Sequence, residues 1–283
     1  MSKAKVAVVV DSTAYIPPAL VAQYNIHVIP QLLNWEGSSL RDDIDIKPDA
    51  FYARLATAKE MPTTSQPSAG EFHEFFSKVA ETAESIVAVL ISKSLSGTQA
   101  SAQAAADMMG DFPIEIVDSE SAAMGLGYMA LAAARAAESG ADYKAAADAA
   151  RALVKKVRVL FVVDTLEFLH RGGRIGGAQR LIGSMLSIKP ILHLVDGKIE
   201  PLASVRTKKK ALAHLMDVAR EEMAGQTNIK AAVIHAAAAE DAQNLHADLT
   251  EILQPEEMHI VELSPVVGAH VGPKALGVVF FPG

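Results

Sequence analysis

An unbroken apolar run, Ile86–Ile91, is followed by a short polar loop and then by an alanine-rich segment, Gln99–Met109. An apolar run of this length, rich in β-branched residues, is typical of a strand buried on both faces of a parallel sheet. The segment after the loop consists largely of good helix formers. Because parallel strands are joined by crossover connections, usually helices, this unit predicts an α/β fold.

The loop of this unit contains Ser96, Gly97 and Thr98, at the point where the strand should end and the helix begin. In open α/β sheets ligands bind at that edge. The first N–H groups of a helix and its dipole attract an anion, the two hydroxyls add donors, and glycine allows close approach to the backbone. Serine or threonine before a helix is also an ordinary N-cap, so the loop alone leaves both interpretations open.

The same alternation of strand, polar turn and helix continues through the first half of the chain. In the second half, Asp196-Gly197 between two apolar runs predicts a hairpin, so parallel and antiparallel signals are mixed there. We therefore predict an α/β protein of two domains. Residues 1–157 should form an N-terminal domain with a parallel sheet and the Ser-Gly-Thr loop, and residues 158–283 a C-terminal domain with a mixed sheet.

Several shorter segments carry local signals. We expect one strand over residues 27–33, an irregular acidic stretch over 35–45 and a rigid polar loop over 62–67. Ser68 with Glu71 forms a capping box that should open a helix. Gly125 and Gly127 match a dinucleotide-binding fingerprint by letters only, because they do not directly follow a strand, and close helix packing explains them better.

Composition argues against several functions. The net charge of −7 disfavours nucleic-acid binding, and the absence of cysteine removes disulfides, thiolate metal sites and cysteine nucleophiles. The nine histidines show no metal-ligand spacing and no P-loop occurs, so we expect neither a metal nor another cofactor. No apolar run suffices for a membrane span and Asp11 ends the first run early, so a cytoplasmic protein without an integral membrane segment or signal peptide is expected.

Two groups of cations suggest an anionic partner. Arg206 and Lys208–Lys210 occupy the start of a predicted helix capped by Thr207, where positive charge opposes the helix dipole. Arg171 and Arg174 lie in a glycine-rich turn, where we expect them to be exposed and free to meet a carboxylate or phosphate. A solvated face without a partner is the alternative for both groups.

Eight short motifs, each weak alone, are specific as an ordered set. They are Asp11-Ser-Thr13, Thr64-Ser-Gln-Pro-Ser68, Leu95-Ser-Gly-Thr98, Asp118-Ser119, Asp164-Thr-Leu-Glu167, Gly172-Gly-Arg-Ile175, Arg206-Thr207 and His270-Val-Gly-Pro273. In this order and spacing they resemble the DegV family, the FakB-type fatty-acid-binding subunits of bacterial fatty acid kinase, along essentially the whole chain.

The resemblance implies a two-domain α/β protein with one long-chain fatty acid between the domains. It implies that Thr64 and Ser96 hydrogen-bond the carboxylate and that His270 lies beside them, and we expect Gly97 and Thr98 to complete this binding site. It also implies that Arg174 and Arg206 face the catalytic subunit of the kinase.

The chain departs from the family pattern at two positions. Lys274 stands where the family commonly has glycine after the His-x-Gly-Pro proline, and Gln99 stands where an aromatic residue is common. Neither departure removes a residue expected at the carboxylate. All those residues are neutral hydroxyls, loop N–H groups or His270, so we expect no arginine or lysine as a partner of the carboxylate. We expect His270 either to donate a hydrogen bond or to carry charge near neutral pH.

Together these features predict a fatty acid carrier that presents its ligand to a separate ATP-dependent kinase and has no catalytic residues of its own. The alternative from another class is an acyl hydrolase or transferase using Ser96 with His270, although no nucleophile-elbow motif supports it. A third possibility is an interaction protein in which the lipid is only structural.

Overall fold

The computed structural model describes residues 3–184 and 188–283. Within these residues the chain alternates strands and helices along most of its length. The strands are β1 (Ala7–Asp11), β2 (His27–Ile29), β3 (Leu32–Trp35), β4 (Ser38–Arg41), β5 (Thr63–Ser65), β6 (Ile86–Leu90), β7 (Ile114–Asp118), β8 (Arg158–Val162), β9 (Lys189–Val195), β10 (Lys198–Val205), β11 (Lys230–His235), β12 (Glu257–Glu262) and β13 (Leu276–Phe281).

The helices connect these strands, and two of them begin at caps that the sequence indicates, since Ser68 and Glu71 form the predicted capping box and Thr207 caps its helix. They are α1 (Pro18–Gln23), α2 (Pro48–Leu55), α3 (Ala69–Ala80), α4 (Thr98–Met108), α5 (Met124–Glu138), α6 (Tyr143–Arg151), α7 (Glu167–Arg171), α8 (Lys208–Glu222), α9 (Ala239–Leu253) and α10 (Pro265–Val271). Turns of 3₁₀ helix cover Ser12–Ala14 and Gly176–Ser184.

The strands of the described residues form three sheets. The parallel sheet has the order β2-β1-β6-β7, the mixed sheet the order β10-β9-β8-β13-β11-β12, and the small antiparallel sheet the order β4-β3-β5. Every residue of β1 and β6 is buried, as expected for strands covered on both faces. The predicted fold class, α/β with a parallel sheet first and a mixed sheet second, is confirmed. The predicted boundary between residues 157 and 158 falls between α6 and β8 and stays a prediction.

The predicted hairpin joins β9 to β10 and closes one side of the mixed sheet. Asp196 and Gly197 have φ of 48° and 76°, the left-handed conformation that a tight hairpin turn of this kind requires at both central positions. The tip touches the N-terminal half, because the Ser92 hydroxyl donates to the Gly197 carbonyl over 2.8 Å. The turn therefore sets both the strand register and a contact between the two halves.

Helix α5 lies between the two large sheets, packed against β1 and β6 on one side and β13 on the other. Most of its residues are buried, which fits its apolar composition all round. A methyl group on Gly127 would lie 2.6 Å from the Ala14 carbonyl oxygen, and one on Gly125 would lie 2.2 Å from the Ser121 hydroxyl. Close packing, rather than dinucleotide binding, thus explains both glycines.

The structure corrects the local predictions near the small sheet. Residues 27–33 are not one strand: β2 joins the parallel sheet, and after Pro30 the chain enters β3 of the small sheet. Ser38–Arg41, expected to be irregular, and Thr63–Ser65, expected to be a loop, pair with β3 on its two sides. These short polar strands form because they pair with β3, and not because of an alternating apolar pattern of their own. The local sequence therefore did not reveal them.

None of the helices in the two described ranges combines the length and the apolar composition that crossing a bilayer requires.

Candidate functional site

The ends of β1 and β6 meet at the carboxyl edge of the parallel sheet, where Asp11 is fully buried. Its carboxylate accepts hydrogen bonds from the Thr13 N–H at 3.0 Å, the Thr13 hydroxyl at 2.5 Å and the Ile91 N–H at 2.8 Å. Burial raises the pKa of Asp11, and these hydrogen bonds partly offset the rise. The buried carboxylate thus ties the two strand ends together and fixes the start of the Ser-Gly-Thr loop.

The hydroxyls of the loop form a relay that starts at Gln31. The Gln31 side-chain amide donates to the Thr98 hydroxyl oxygen over 2.8 Å, and the Thr98 and Ser96 hydroxyl oxygens are 2.7 Å apart. Either hydroxyl of this pair can donate to the other. The Thr98 N–H also donates to the Ser96 oxygen over 3.3 Å. When the Thr98 hydroxyl donates to Ser96, the Ser96 proton is free for a further acceptor.

A second relay reaches the same place from the opposite half of the chain. His270, on α10, has Nε2 2.8 Å from the hydroxyl oxygen of Thr64, on β5. Burial, and then the nearby Arg174 guanidinium, lower the pKa of His270 to about 4, so the ring is neutral at pH 7. Of the two roles expected for this histidine, the lowered pKa contradicts the charge near neutral pH and leaves the hydrogen bond. When the neutral ring donates from Nε2, the Thr64 proton is left free.

The position of His270 depends on a glycine. A methyl group on Gly172 would lie 2.2 Å from the imidazole Nδ1, so only glycine fits there. The Nδ1 atom is buried and has no hydrogen-bond partner among the described residues. The first glycine of the Gly-Gly-Arg turn therefore makes room for the ring, a role that the sequence alone did not indicate.

Arg174 is not the exposed, free side chain that its glycine-rich turn predicted. It is half-buried, and its guanidinium donates to the carbonyls of Leu95 at 3.0 Å and Gly172 at 2.8 Å. It also lines the cavity described below. A guanidinium thus lies beside Ser96 and His270, with hydrogen bonds to backbone carbonyls. The expectation that no arginine or lysine binds the carboxylate stays a prediction.

A cavity extends from these groups between the parallel and mixed sheets. It has about 940 Å³ of empty volume, counting its open mouth, and Thr64, Ser96 and His270 lie in its lining. We call these three residues the polar end. The lining also includes five other polar or charged residues, Thr13, Gln31, Ser65, Gln66 and Arg174. The rest of the wall is aliphatic and aromatic, and includes Val159, Phe161, Leu194, Ile199, Ile234 and Leu263.

Gly97 and Thr98 lie one layer behind the polar end. Thr98 is fully buried and supports Ser96 through the relay. Gly97 gives close approach to the Gln66 side chain rather than to the cavity, since a methyl group there would be 2.9 Å from the Gln66 amide nitrogen. The sequence analysis did not identify Gln31, whose side chain supports Thr98. The only sequence signal for such a role is that Gln31 follows Pro30, just after β2 ends at the ligand-binding edge of the parallel sheet.

The geometry bears on the alternative that pairs Ser96 with His270. A serine nucleophile needs a hydrogen bond to its base, and the base needs a third group to orient it. Here Ser96 bonds to Thr98 while His270 bonds to Thr64, and Nδ1 of His270 has no partner among the described residues. Each of the two hydroxyls can instead turn its proton toward the apolar cavity, which suits an anionic oxygen ligand better than nucleophilic attack.

The second group of cations lies on the surface at the start of α8. Arg206, Lys209 and Lys210 are exposed, and Lys208 forms an ion pair with Asp241 at 2.7 Å. Lys274, where the resemblance led us to expect glycine, is exposed with φ of 64°, and its N–H donates to the Ala236 carbonyl over 2.7 Å. The turn after the His-x-Gly-Pro motif therefore keeps a left-handed conformation despite carrying a side chain.

Comparison with known proteins agrees with this architecture. A model of the DegV family, described as a family of uncharacterised proteins, matches residues 5–283. A DegV domain-containing protein of Streptomyces coelicolor is 39% identical over 276 residues, which cover 97% of both chains. A fatty-acid-binding DegV family protein from Thermus thermophilus superposes with a TM-score of 0.93 and 32% identity, covering 99% of this chain and all of that one.

DegV of Bacillus subtilis, described as a fatty acid binding protein, superposes with a TM-score of 0.90 and 34% identity, over 99% of this chain and 100% of its own. The match therefore spans all three sheets and all eight motifs. This chain belongs to the DegV family.

Proposed function

We propose that this protein binds one long-chain fatty acid in the cavity, with the carboxylate at the polar end. The observation that carries the proposal is the pairing of an apolar cavity with the Thr64 and Ser96 hydroxyls in its lining, each of which can turn its proton toward a ligand. An acyl chain needs the first feature and a carboxylate the second, because a buried anion without donors is strongly disfavoured.

The energetics of this arrangement are reasonable. About 14 methylenes, at ~0.8 kcal/mol each, give roughly 11 kcal/mol from burial. Binding entropy and ligand ordering reduce this considerably, and the bound for drug-sized ligands leaves about 6 kcal/mol. Relatives in Thermus thermophilus and Bacillus subtilis that share the whole fold are described as fatty acid binding proteins, which supports the same ligand class here.

We further propose that the bound carboxylate is presented to a separate ATP-dependent kinase for acyl-phosphate formation. Hydroxyl donors hold an anion without enclosing it, so one carboxylate oxygen stays open to a phosphoryl donor. The Arg174 guanidinium at the cavity wall is placed to offset the charge that such a transfer adds. The sequence contains no P-loop to bind the nucleotide itself.

Native mass spectrometry of freshly purified protein tests the ligand assignment. We expect one fatty acid per chain, and rebinding of palmitate after the lipid is removed. Ala122→Trp, which places an indole in the cavity lining, should abolish both, whereas Ala152→Trp on the exposed end of α6 should retain both. If a folded Ala122→Trp protein binds palmitate normally, the acid does not occupy this cavity.

The kinase step has its own test. Lipid-loaded protein, incubated with ATP and a DegV-partner kinase, should yield acyl phosphate, and without the kinase it should yield none. His270→Ala should keep most of the lipid and lower acyl-phosphate formation severely. If this chain alone forms acyl phosphate, or hydrolyses an acyl ester in the absence of the kinase, the protein is an enzyme and the carrier proposal is wrong.

A further inference from the structure

Asp42 follows β4 in the N-terminal half and is 1% exposed. Its carboxylate reaches across to α10 in the C-terminal half. One oxygen accepts the Val266 N–H at 3.0 Å, and the other accepts the Ser264 hydroxyl at 2.6 Å. Asp42 has no role in the proposed binding of a fatty acid as described so far.

These contacts make Asp42 the cap of a helix to which it is not adjacent in sequence. Ser264 occupies the N-cap position of α10 but makes no capping hydrogen bond of its own. It donates its proton to Asp42 instead, and the Tyr15 hydroxyl in turn donates to Ser264 over 2.7 Å. A carboxylate is favoured beside the first N–H groups of a helix. Asp42 thus replaces the missing local cap.

Helix α10 carries His270 one turn after Val266. The helix has seven residues, too few to be stable without outside contacts, so its position is set by what it touches. Asp42 holds its first turn, and Thr64 contacts its last. A displacement at the first turn therefore moves the imidazole relative to the Thr64 hydroxyl.

Asp42 is also bonded to the opposite relay of the site. Its second oxygen accepts the Ser12 hydroxyl at 2.6 Å, and its own N–H donates to the Gln31 carbonyl over 2.9 Å. The Gln31 side chain supports Thr98 and, through it, Ser96. Asp42 thus connects to both halves of the polar end, although it does not line the cavity.

We propose that Asp42 is a positioning residue for the polar end, whose ionised carboxylate holds α10, and with it His270, in register with Thr64. This rests on the proposed binding of a carboxylate at that end. An ionised Asp42 accepts from two hydroxyls and one N–H at once. A protonated Asp42 carries a hydrogen on one oxygen and no charge, so its hydrogen bonds from these three donors are weaker.

The surroundings of Asp42 place this change near neutral pH. Burial raises the pKa of Asp42 to about 6, against hydrogen bonds from Ser12, Ser264 and Val266 that lower it. Among the described residues no lysine or arginine bonds to it. The titratable groups around it are acidic or phenolic, and they are Asp11, Tyr15, Asp43, Tyr52 and Glu262.

The test uses the lipid-free full chain labelled with ¹⁵N-histidine, with the His270 signal identified from His270→Gln. We expect the His270 shift to change with a midpoint near the Asp42 pKa of about 6, well above the pKa of the imidazole itself at about 4. Asp42→Asn should abolish that midpoint, whereas Asp43→Asn, at an exposed neighbour whose charge raises the Asp42 pKa, should keep the midpoint and move it to lower pH. An identical profile in Asp42→Asn, or its loss in Asp43→Asn, would overturn the proposal.

If Asp42→Asn does not fold, Ser264→Ala decides. Loss of this hydroxyl removes a hydrogen bond that stabilises the carboxylate, so the midpoint should move to higher pH. A midpoint that stays in place would refute the coupling. Palmitate binding is measured in parallel, where Asp42→Asn should weaken affinity about tenfold at pH 7.5. Failure of the wild type to bind palmitate would reject the ligand but not the coupling, because the NMR readout needs no ligand.

Discussion

The His270 Nε2 lies 2.8 Å from the Thr64 hydroxyl oxygen, although 206 residues separate them in the chain. This bond joins the small antiparallel sheet of the N-terminal half to α10 of the C-terminal half. When the neutral imidazole donates from Nε2, the threonine proton is free to point into the cavity. The two residues should therefore act as a unit in holding a carboxylate.

A double-mutant cycle measures this unit. Thr64→Val and His270→Gln should each weaken palmitate binding. The loss of binding free energy in the double variant should be smaller than the sum of the two single losses. We expect an interaction energy of about 1 kcal/mol, typical of directly bonded pairs. Calorimetric affinities of the four proteins give the value, and Thr57→Val, at an exposed threonine, provides the control. Strict additivity would mean that the two residues contribute independently.

The lowered pKa of His270 predicts a pH dependence of stability. The unfolded chain binds a proton below pH 6.5, but the folded chain binds one only below about 4. The contribution of neutral His270 is therefore complete above 6.5 and is lost as the pH falls, by about 2 kcal/mol between pH 7 and pH 5. The raised pKa of Asp42 acts in the opposite direction between about 4 and 6, so the effect is best measured as a difference between variants.

Urea unfolding at several pH values makes that comparison. His270→Gln should lose about 2 kcal/mol less than the wild type on going from pH 7 to pH 5. His214→Gln, on α8, should follow the wild type. If the free energy of unfolding of His270→Gln instead runs parallel to that of the wild type, folding does not lower the pKa of His270.

The acyl chain should contribute more to affinity than any one donor at the polar end. Replacing palmitate by decanoate removes about six methylenes, roughly 5 kcal/mol at ~0.8 kcal/mol each before offsets. Ser96→Ala removes one charge-assisted hydrogen bond, worth about 1.5–3 kcal/mol. Competition binding with both ligands on both proteins compares the two changes. This division of roles is wrong if Ser96→Ala abolishes binding while decanoate binds nearly as well as palmitate.

The strand–loop–helix units were predictable from the sequence because their signals are local. The apolar run before Ser96, the capping box at Ser68 and the Asp196-Gly197 turn each determine the nearest few residues. The environment of Arg174 was not predictable, since a glycine-rich turn indicates exposure and the carbonyls that bind its guanidinium belong to a tertiary contact. The same holds for Asp42, which caps a helix more than 200 residues away.

The direction of the Gln31 relay can be tested by reversing its donor. Gln31→Glu has nearly the same shape, but its carboxylate accepts rather than donates. The Thr98 proton should then turn toward residue 31 and no longer support Ser96, and a buried negative charge is added near the ligand carboxylate. We expect Gln31→Glu to weaken palmitate binding by at least 2 kcal/mol, whereas Gln31→Met, which only removes the donor, should cost about 1 kcal/mol. Equal losses in the two variants would contradict the relay.

Substitutions at Arg206 and Arg174 should have different effects, although the sequence resemblance placed both residues on the kinase-facing surface. Arg206 is exposed at the N-terminus of α8, where its charge opposes the dipole and does little for folding. Arg206→Glu should therefore keep the lipid and the stability of the wild type but lower kinase-dependent acyl-phosphate formation at least tenfold, as expected for a lost charge pair at a protein interface.

Arg174→Glu should behave differently, because this side chain lines the cavity beside His270. Its carboxylate would face the carboxylate of the ligand, so lipid content and acyl-phosphate formation should fall together. Arg220→Glu, an exposed charge reversal in the last turn of α8, serves as the control and should leave both unchanged. Lipid content by mass spectrometry and acyl phosphate by a coupled assay distinguish the cases. Normal acyl-phosphate formation with Arg206→Glu would show that the partner kinase docks elsewhere. Full lipid retention by Arg174→Glu would show that the bound carboxylate lies farther from the Arg174 side chain than the cavity geometry implies.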